Sequence, residues 1–367
     1  MNAPTVSVRH RRSDRSAEAP IRLMIVDDST VARAVLSRMV ASDPEFEVVA
    51  LAGTASEALD ALKTVTVDIV LLDVEMPGGS GLDALPEIIR AGQGAKVLIV
   101  SSMAEEGAEV TVRALAEGAA DTLPKPGTGY FAGRFSEVLA DRLRRIGRAG
   151  RRNQGPAAAV ERVEIRLRDM SESTLGCVAL GASTGGLHAL VEFLRGLPPK
   201  IDAPILVTQH LPAIFMPYFA RQLENAAGRA ACVAEDGRRL VDDLVHIAPG
   251  DAHLCVEGKN GTVRVRLDRK CAPSGCLPSV DPMLNSVAEA YGDGAVGVML
   301  SGMGRDGLIG SRRLVERGGV VLAQDQSSSA IWGMPRAVAE AGLASAVLPP
   351  RDLARRLTAR LGSGPWN

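Results

Sequence analysis

Short apolar segments alternate with amphipathic helical patterns along most of this chain, and this alternation limits the fold more than any other feature. Between Ile21 and Leu143 the segments with the length and apolar character of strands are IRLMIV, FEVVALA, VDIVLL, KVLIVSS and ADTLPKP. In the segments between them, apolar residues three and four positions apart predict helices. Buried strands that alternate with helices are typical of a doubly wound parallel sheet, so we expect an α/β domain here.

The same alternation returns near Leu175 and predicts a second parallel-sheet α/β domain that extends to residue 362. Its strand-like segments are GCVALGAS, APILVTQH, GAVGVMLSGMG and GGVVLAQD. Residues 231–268 have a different character, because turn signals separate short β-rich segments there. These turn signals are Asp236-Gly237, Pro249-Gly250 and Asn260-Gly261. They predict an antiparallel hairpin insertion in the second domain.

Composition excludes several classes of protein. The 42 basic and 43 acidic side chains nearly cancel, so no overall field favours nucleic acid or an acidic substrate. No apolar run approaches membrane-spanning length, and residues 1–20 lack the apolar stretch of a signal peptide. The five cysteines are odd in number and irregularly spaced, which argues against a disulfide framework. We expect a cytoplasmic protein with ordinary thiols, no nucleic-acid partner and no membrane insertion.

Two polar stretches mark the expected domain boundaries. Residues 1–20 are polar and arginine-rich and predict a disordered tail. Residues 144–174 are dominated by arginine, glycine and alanine and predict a linker, whose first residues complete the last helix of the first domain. A nucleic-acid patch is the alternative for this basic stretch, but no aromatic residues are interleaved with the arginines. The domains are therefore expected at residues 21–143 and 175–362.

Three acidic side chains follow strands of the first domain. Asp27 and Asp28 close LMIVDD, and Asp73 closes DIVLLD. In an open parallel sheet, ligands bind beyond the carboxyl ends of the strands. Converging carboxylates repel one another unless a cation lies among them, and oxygen ligands suit Mg²⁺. Any single acid at such a place is also explained as a helix N-cap, and Asp28 before STVARAVL fits that alternative.

Two further polar residues stand at the same edge. Ser101 ends the fourth strand and Lys125 ends the fifth, which adds a hydroxyl and an ammonium group. Such a site can hold a phosphoryl group, because metal and lysine neutralise its charge and Asp73 is the available nucleophile. Five polar groups at successive strand ends favour this function over five unrelated structural roles.

The motifs VDDS, LLDVEMPG, VSS and KP together resemble the receiver domain of bacterial response regulators over residues 21–140. The resemblance implies that a histidine kinase partner phosphorylates Asp73, that Asp28 and Asp73 hold Mg²⁺ with Asp27 nearby, and that the side chains of Ser101 and Lys125 contact the phosphoryl group. The chain departs from this pattern at Thr122, where receivers often have an aromatic residue, and in the turn GGSG after EMP.

The stretch VALGASTGGLHAL in the second domain has two possible functions. A dinucleotide-binding turn requires G-x-G-x-x-G, and Gly181 and Gly186 match while Ser183 occupies the middle glycine position. That site also needs an acid after the next strand, where Gln209 and His210 stand instead. The dinucleotide interpretation therefore fails at two of its discriminating positions.

The alternative is that Ser183 is a nucleophile. GASTG satisfies G-x-S-x-G, a weak signal by itself, and a nucleophilic serine needs a base and an orienting acid. Among the five histidines, His210 is the one at a strand end, and LSGMGRDG provides Asp306 at another. His210 as a core histidine and Asp306 as the N-cap of the next helix remain alternatives for each residue singly. Together at strand ends, the three residues favour a serine hydrolase.

The motifs GASTGG, TQHLP, IAPGDAHL and LSGMGRDG behind a receiver resemble the chemotaxis response-regulator protein-glutamate methylesterases. The resemblance implies hydrolysis of glutamate methyl esters on methyl-accepting chemotaxis receptors, often with deamidation of receptor glutamines. A hydroxyl and an imidazole suffice for this chemistry at neutral pH, so we expect no metal at the hydrolase site. The resemblance also implies that the main-chain N–H of Met303 helps to hold the oxyanion and that Thr184 supports the histidine. Arg305 departs from the small polar residue expected before the aspartate.

Two other classes of function remain open from the residues. One is a receiver joined to a nucleotide- or other ligand-binding module. The other is a response regulator that acts through protein or DNA contacts without hydrolase activity. A DNA-binding output is typically a compact helical module, whereas residues 175–362 have the pattern of an α/β domain.

Overall fold

The structure, a computed structural model, describes residues 19–74, 76, 81–101, 105–125, 135–154, 165–170, 173–259 and 262–361. Residues 1–18 of the expected tail and residues 155–164 and 171–172 of the expected linker lie outside these ranges. Within the described residues no helix has the length and apolar character needed to cross a membrane.

The first domain is built on a parallel sheet with the order β2-β1-β3-β4-β5. Its strands are β1 Ile21–Val26, β2 Phe46–Ala52, β3 Ile69–Leu72, β4 Lys96–Ser101 and β5 Asp121–Pro124. The helices are α1 Thr30–Ala41, α2 Ala55–Leu62, α3 Gly81–Ala91, α4 Glu105–Ala116 and α5 Phe135–Gln154. β3 is buried throughout, as the apolar run predicts. α5 continues past the expected boundary at residue 143.

The second domain has a parallel sheet with the order β14-β13-β12-β6-β7-β9-β8. Its strands are β6 Cys177–Ala182, β7 Ile205–Gln209, β8 Ala231–Val233, β9 Val245–Ile247, β12 Ala295–Met299, β13 Val320–Gln324 and β14 Ala346–Leu348. The helices are α6 Gly186–Gly196, α7 Met216–Ala227, α8 Val280–Tyr291, α9 Leu308–Glu316, α10 Met334–Glu340 and α11 Pro350–Leu361. The predicted fold class, two parallel-sheet α/β domains, is confirmed.

An antiparallel hairpin is present, but it is smaller than the segment that predicts it. β10 (His253–Lys259) pairs antiparallel with β11 (Thr262–Asp268), whereas β8 and β9 join the edge of the parallel sheet. β9 is fully buried, so this short apolar strand extends the central sheet instead of forming a separate ribbon. The turn signal Asn260-Gly261 between β10 and β11 lies outside the described residues.

The strand order reverses at β6, because β7 lies on one side of it and β12 on the other. The crevice at such a switch point is the usual ligand site of an open α/β sheet. The loops that follow β6, β7 and β12 therefore lie together at the carboxyl edge of the sheet. The first domain has an equivalent point where β1 lies between β2 and β3.

Candidate active site

Ser183 lies in the turn between β6 and α6, and its main chain is held from two sides. Its N–H donates to the carbonyl of Ser301 at 3.0 Å, and its carbonyl accepts from Nε2 of Gln209 at 2.8 Å. The turn requires glycine at Gly185, which has φ 71° and where a Cβ would lie 2.2 Å from that of Ala330. The serine is thus presented on a rigid support.

Ser183, His210 and Asp306 form a hydrogen-bonded triad. Nδ1 of His210 lies 3.1 Å from Oγ of Ser183, and Nε2 lies 2.8 Å from Oδ2 of Asp306. The ring is reversed relative to chymotrypsin, where Nε2 faces the serine. In the neutral ring, a proton on Nε2 leaves the lone pair of Nδ1 directed at the hydroxyl, as a general base requires. The structure thus brings together all three residues that the strand-end pattern singled out.

Asp306 is buried, and its carboxylate accepts several hydrogen bonds. Oγ of Ser279 donates to Oδ1 at 2.6 Å, and the N–H of Val280 donates to Oδ2 at 2.7 Å. Burial by itself would raise the pKa of Asp306, but the hydrogen bonds from His210, Ser279 and Val280 outweigh it and lower the pKa to about 2. The carboxylate is therefore charged at neutral pH. The N-cap of α9 is Gly307 and not Asp306, so that structural alternative is wrong.

The surroundings of His210 favour the charged ring, the state that it reaches when it takes a proton from Ser183. Burial lowers its pKa, but Asp306 and Cys276 beside the ring raise it by more, to about 9. The side chain of His210 is 17% exposed, so a substrate can reach the ring from the solvent, whereas Asp306 is enclosed.

Sequence reasoning missed a layer of residues behind Asp306. Nδ1 of His253 accepts from the N–H of Ser279 at 2.9 Å, and its Nε2 lies 2.7 Å from the carbonyl of Lys270. The buried Asp281 accepts from the N–H of Gly310 at 2.7 Å, and burial together with the nearby charge of Asp306 raises its pKa to about 6. Ser279 and Asp281 in LPSVDP are residues typical of a helix start, so the sequence indicates where α8 begins. It does not indicate that this helix start contacts Asp306. His253 has no local signal, because its role depends on the hairpin packing against α8.

The main chain beside the serine is compatible with an oxyanion hole. Gly302 approaches Ser183 so closely that a Cβ there would lie 2.9 Å from the serine Cβ. Met303 and Arg305 line the same cavity as Ser183, and the N–H of Met303 donates to no acceptor among the described residues. The roles expected for Met303 and Thr184 stay predictions. In this arrangement the hydroxyl of Thr184 donates to Asp121 of the first domain at 3.0 Å.

The strand ends of the first domain also converge. Carboxylate oxygens of Asp27, Asp28 and Asp73 lie within 4.8 Å of one another. Nζ of Lys125 lies 2.5 Å from Oδ2 of Asp73 and 3.1 Å from Oδ2 of Asp27. Burial lowers the pKa of Lys125, but the two carboxylates raise it by more. The helix cap of α1 is Ser29, so the N-cap alternative for Asp28 is wrong.

The donor set of this cluster fits Mg²⁺. Oδ2 of Asp27 is buried, lies 3.1 Å from the ammonium of Lys125 and accepts no hydrogen bond from the described residues, which suits an oxygen that faces a cation. Ser101 closes β4, but its side chain and the turn at residues 77–80 lie outside what the structure describes. Thr122 is buried, and its carbonyl accepts from Arg142 at 3.1 Å.

Comparison with known proteins gives the same assignment for both halves. Residues 178–357 match the family model of the CheB methylesterase, and residues 23–129 match that of the response regulator receiver domain. The chain is 39% identical over 364 residues to protein-glutamate methylesterase/protein-glutamine glutaminase 1 of Rhodospirillum rubrum, covering 91% of this chain and 94% of that protein. It is 37% identical over 346 residues to the second such enzyme of Caulobacter vibrioides, covering 94% and 99%.

The chain belongs to the CheB methylesterase family.

Among solved structures, the catalytic domain of CheB methylesterase from Thermotoga maritima is 36% identical, with a TM-score of 0.49, and covers 51% of this chain and 99% of that one. The response regulator domain of the same protein is 34% identical, with a TM-score of 0.31, and covers 34% of this chain and 94% of that one. The comparisons give no support to a receiver joined to a non-hydrolytic module.

In this family member the receiver lies over the mouth of the methylesterase site. The N–H of Gly185 donates to the carbonyl of Ala120 at 2.7 Å, directly beside the Thr184–Asp121 bond. Ile331 of the methylesterase domain is buried in one apolar cluster with α5 and the receiver sheet, and Met303 packs against it. A cavity of about 870 Å³ separates α5 from the triad and is lined from both domains.

Polar contacts extend this interface. Arg142 pairs with Asp121 at 2.7 Å, and the guanidinium of Arg145 donates to Sδ of Met303 at 3.6 Å. Nδ1 of His188 lies 3.3 Å from the carbonyl of Ala116, so this histidine contacts the receiver and takes no part in the hydrogen bonds among Ser183, His210 and Asp306. No sequence signal pointed to these contacts, because they depend on how the two domains meet.

Proposed function

We propose that this chain hydrolyses glutamate methyl esters on methyl-accepting chemotaxis receptors, with Ser183 as nucleophile, His210 as base and Asp306 as orienting acid. The observation that carries the proposal is the line of hydrogen bonds of 3.1 Å and 2.8 Å through the two ring nitrogens of His210. The names of the relatives support the substrate class.

The chemistry is acyl transfer. Oγ of Ser183 attacks the ester carbonyl while Nδ1 of His210 takes its proton, and Asp306 stabilises the charged ring through Nε2. The main-chain N–H of Met303 stabilises the oxyanion. The ring then gives its proton to the departing methanol, and water hydrolyses the glutamyl-enzyme with the same base. Attack on a glutamine side chain follows the same course with ammonia as leaving group, which accounts for deamidation.

Regulation is assigned to the receiver. Asp73 accepts the phosphoryl group from a histidine kinase, and Lys125 with Ser101 neutralises its charge. Mg²⁺, held by Asp28 and Asp73 with Asp27 nearby, supplies charge neutralisation at that site when it is bound. The unphosphorylated receiver obstructs the hydrolase. The added charge of about −1.5 to −2 at Asp73 draws Lys125 from its carboxylate partners and shifts the adjoining β5.

The boundaries that go with this function are a tail at residues 1–20, a receiver at 21–143, a linker at 144–174 and a methylesterase domain at 175–362. The continuation of α5 to Gln154 extends the last receiver helix into the linker. Because α5 forms one wall of the cavity at the triad, its position after phosphorylation controls access to Ser183.

The test is methanol release from methylated receptor fragments, with and without a small phosphodonor. Ser183→Ala is expected to lower the rate on the order of a million-fold. Ser327→Ala, a change at an exposed serine of the same domain, is the control and is expected to retain the rate. Methanol release from Ser183→Ala at the rate of the control variant would contradict the assignment.

Gating is tested separately. Asp73→Asn is expected to abolish stimulation by the phosphodonor while leaving the basal rate measurable. Deletion of residues 1–150 is expected to raise the basal rate. Unchanged basal activity of the deletion, together with continued stimulation of Asp73→Asn, would show that the receiver does not gate the site.

A further inference from the structure

Cys276 is a potential metal ligand that lies beside His210 and Asp306. A ring nitrogen of His210, Sγ of Cys276 and a carboxylate oxygen of Asp306 all lie within 4.8 Å of one another. Cysteine, histidine and aspartate are among the side chains that bind Zn²⁺. A tetrahedral zinc ion holds such ligands about 3.3–3.6 Å apart, so small side-chain rotations close this cluster around one ion. The serine hydrolase mechanism has no step for Cys276.

We propose that His210, Cys276 and Asp306 form a binding site for a thiophilic divalent cation, Zn²⁺, whose occupation reversibly switches off the hydrolase. The inhibitory consequence rests on the proposed function of His210 as base, whereas the binding site itself does not. The fourth position of the ion is left to water from the cavity that these residues line.

Inhibition follows from the electron pairs of the imidazole. A neutral ring has one N–H and one lone pair, and a metal ion binds through the lone pair. If Nδ1 binds the ion, the base itself is blocked. If Nε2 binds it, the ring proton moves to Nδ1, which then faces Ser183 as a donor. In both cases His210 has no electron pair to accept the serine proton.

The site is held together by its own hydrogen bonds. Oγ of Ser279 donates to Asp306 at 2.6 Å and accepts from Oγ of Ser274 at 3.1 Å. Ser274 belongs to the same turn as Cys276, whose N–H donates to the Ser274 hydroxyl at 3.3 Å. The main chain of Cys276 and the carboxylate of Asp306 are therefore held relative to each other by a serine pair, which supports the two ligands from behind as in known metal sites.

Access and charge balance are also satisfied. Cys276 is partly exposed and borders the cavity of about 870 Å³, so an ion reaches it without unfolding of the domain. Binding forms a sulfur–metal and a nitrogen–metal bond and releases the thiol proton and the extra proton of the charged ring to water. The carboxylate of Asp306 exchanges its bond to the ring for one to the ion. The two negative ligands balance the charge of the ion.

The experiment uses the full unphosphorylated chain, stripped of metal with a chelator and desalted into buffer without thiols. Co²⁺ replaces Zn²⁺ as the spectroscopic probe, because a thiolate ligand gives an intense sulfur-to-cobalt charge-transfer band in the near ultraviolet. We expect this band in the wild-type chain and in Ser183→Ala, which retains all three ligands. Zn²⁺ is expected to displace Co²⁺ and to inhibit methanol release, and chelator is expected to restore it.

The variant is Cys276→Ser, and the matched control is Cys271→Ser, the exposed thiol five positions earlier in the same loop. Cys276→Ser is expected to lose the cobalt band and to need at least about 100-fold more Zn²⁺ for half-inhibition, each variant being compared with its own metal-free rate. Cys271→Ser is expected to behave as wild type in both measurements. Mg²⁺ at the same concentration is expected to leave hydrolysis unchanged, because it prefers oxygen ligands.

Two results would overturn the proposal: absence of the cobalt band from the wild-type chain, or equal zinc sensitivity of Cys276→Ser and wild type. A cobalt band without inhibition by Zn²⁺ would remove the regulatory part. Failure of Ser183 as nucleophile would be seen in the metal-free rates, so it is distinguishable from failure of the metal site.

Discussion

Thr184, the residue after the proposed nucleophile, donates its hydroxyl to Oδ2 of Asp121 in the receiver at 3.0 Å. Asp121 is the first residue of β5, and Lys125 directly follows that strand and contacts Asp73. A single short strand therefore connects the proposed phosphorylation site to the turn that holds the proposed nucleophile. This connection is the structural basis for the first prediction.

Loss of the carboxylate at Asp121 is expected to open the site without phosphorylation. Asp121→Ala removes the bond to Thr184 and the ion pair with Arg142. A hydrogen bond to a charged group stabilises the closed arrangement by about 1.5–3 kcal/mol, so we expect basal methanol release to rise roughly tenfold or more. The control is Asp141→Ala, on the same cavity wall, whose carboxylate pairs within α5 with Arg145. Equal rates for the two variants would contradict a restraining role of Asp121.

Asp306→Asn is expected to lower kcat by a factor on the order of 10⁴ with little change in KM, because the amide favours the wrong tautomer of His210. The residue is buried and accepts from His210, Ser279 and Val280, so the amide also disturbs the support of the acid. Asp251→Asn, at an exposed aspartate paired with Arg269, is the control. Steady-state hydrolysis of a soluble ester separates kcat from KM, and a change confined to KM would disprove this role.

His246 is expected to make the second domain sensitive to acid. It is fully buried in β9, and burial, with the charge of Arg238 adding to it, lowers its pKa from 6.5 to about 4. The neutral ring is favoured in the folded state, so its stabilisation is complete above pH 6.5 and is lost as the pH falls toward 4.

The measurement compares the thermal unfolding midpoints of wild type and His246→Gln at pH 7.5 and pH 5. Protonation in the unfolded chain costs the wild type about 2 kcal/mol of stability at the lower pH, and the glutamine variant has no such loss. The advantage of the wild type over the variant is therefore expected to shrink in acid. An advantage that stays constant with pH would contradict the buried neutral state of His246.

Gly185→Ala and Gly228→Ala form a matched pair, because both glycines have positive φ, 71° and 64°. Each substitution brings the same backbone strain of about 1–2 kcal/mol. At Gly228 an added Cβ meets no atom of the described residues within 4 Å, whereas at Gly185 it would lie 2.2 Å from the Cβ of Ala330. We expect Gly228→Ala to lower stability slightly and Gly185→Ala to lower both stability and hydrolysis strongly. Similar thermal midpoints for the two variants would show that the turn at Ser183 shifts at little cost to make room for the added Cβ, and would contradict its rigidity.

The residues that the sequence could place were those at strand ends. Ser183, His210 and Asp306 each follow an apolar run, and Asp27, Asp28 and Asp73 do the same in the first domain. Because all parallel strands of a sheet end at the same edge, local pattern was sufficient to group these side chains before their distances were known. The local pattern also predicted the five strands of the first domain and the strands β6, β7, β12 and β13 of the second to within a few residues.

Contacts between distant segments could not be predicted in this way. The pattern of residues 231–268 predicted antiparallel strands, yet β8 and β9 joined the parallel sheet, because a short apolar strand fits either arrangement. His253 behind Ser279 and Cys276 beside His210 belong to the hairpin and to a loop, where no periodicity indicates a partner.

The sequence by itself determined the fold class, the two-domain order and the chemical identity of both strand-end clusters, since these depend on local periodicity and on the geometry common to parallel sheets. Only the tertiary structure decided that Thr184 is bonded to Asp121, that α5 faces the triad and that a thiol lies beside the base. Those relationships depend on which of many similar apolar surfaces pack together, and that choice is made by the complementarity of whole domains.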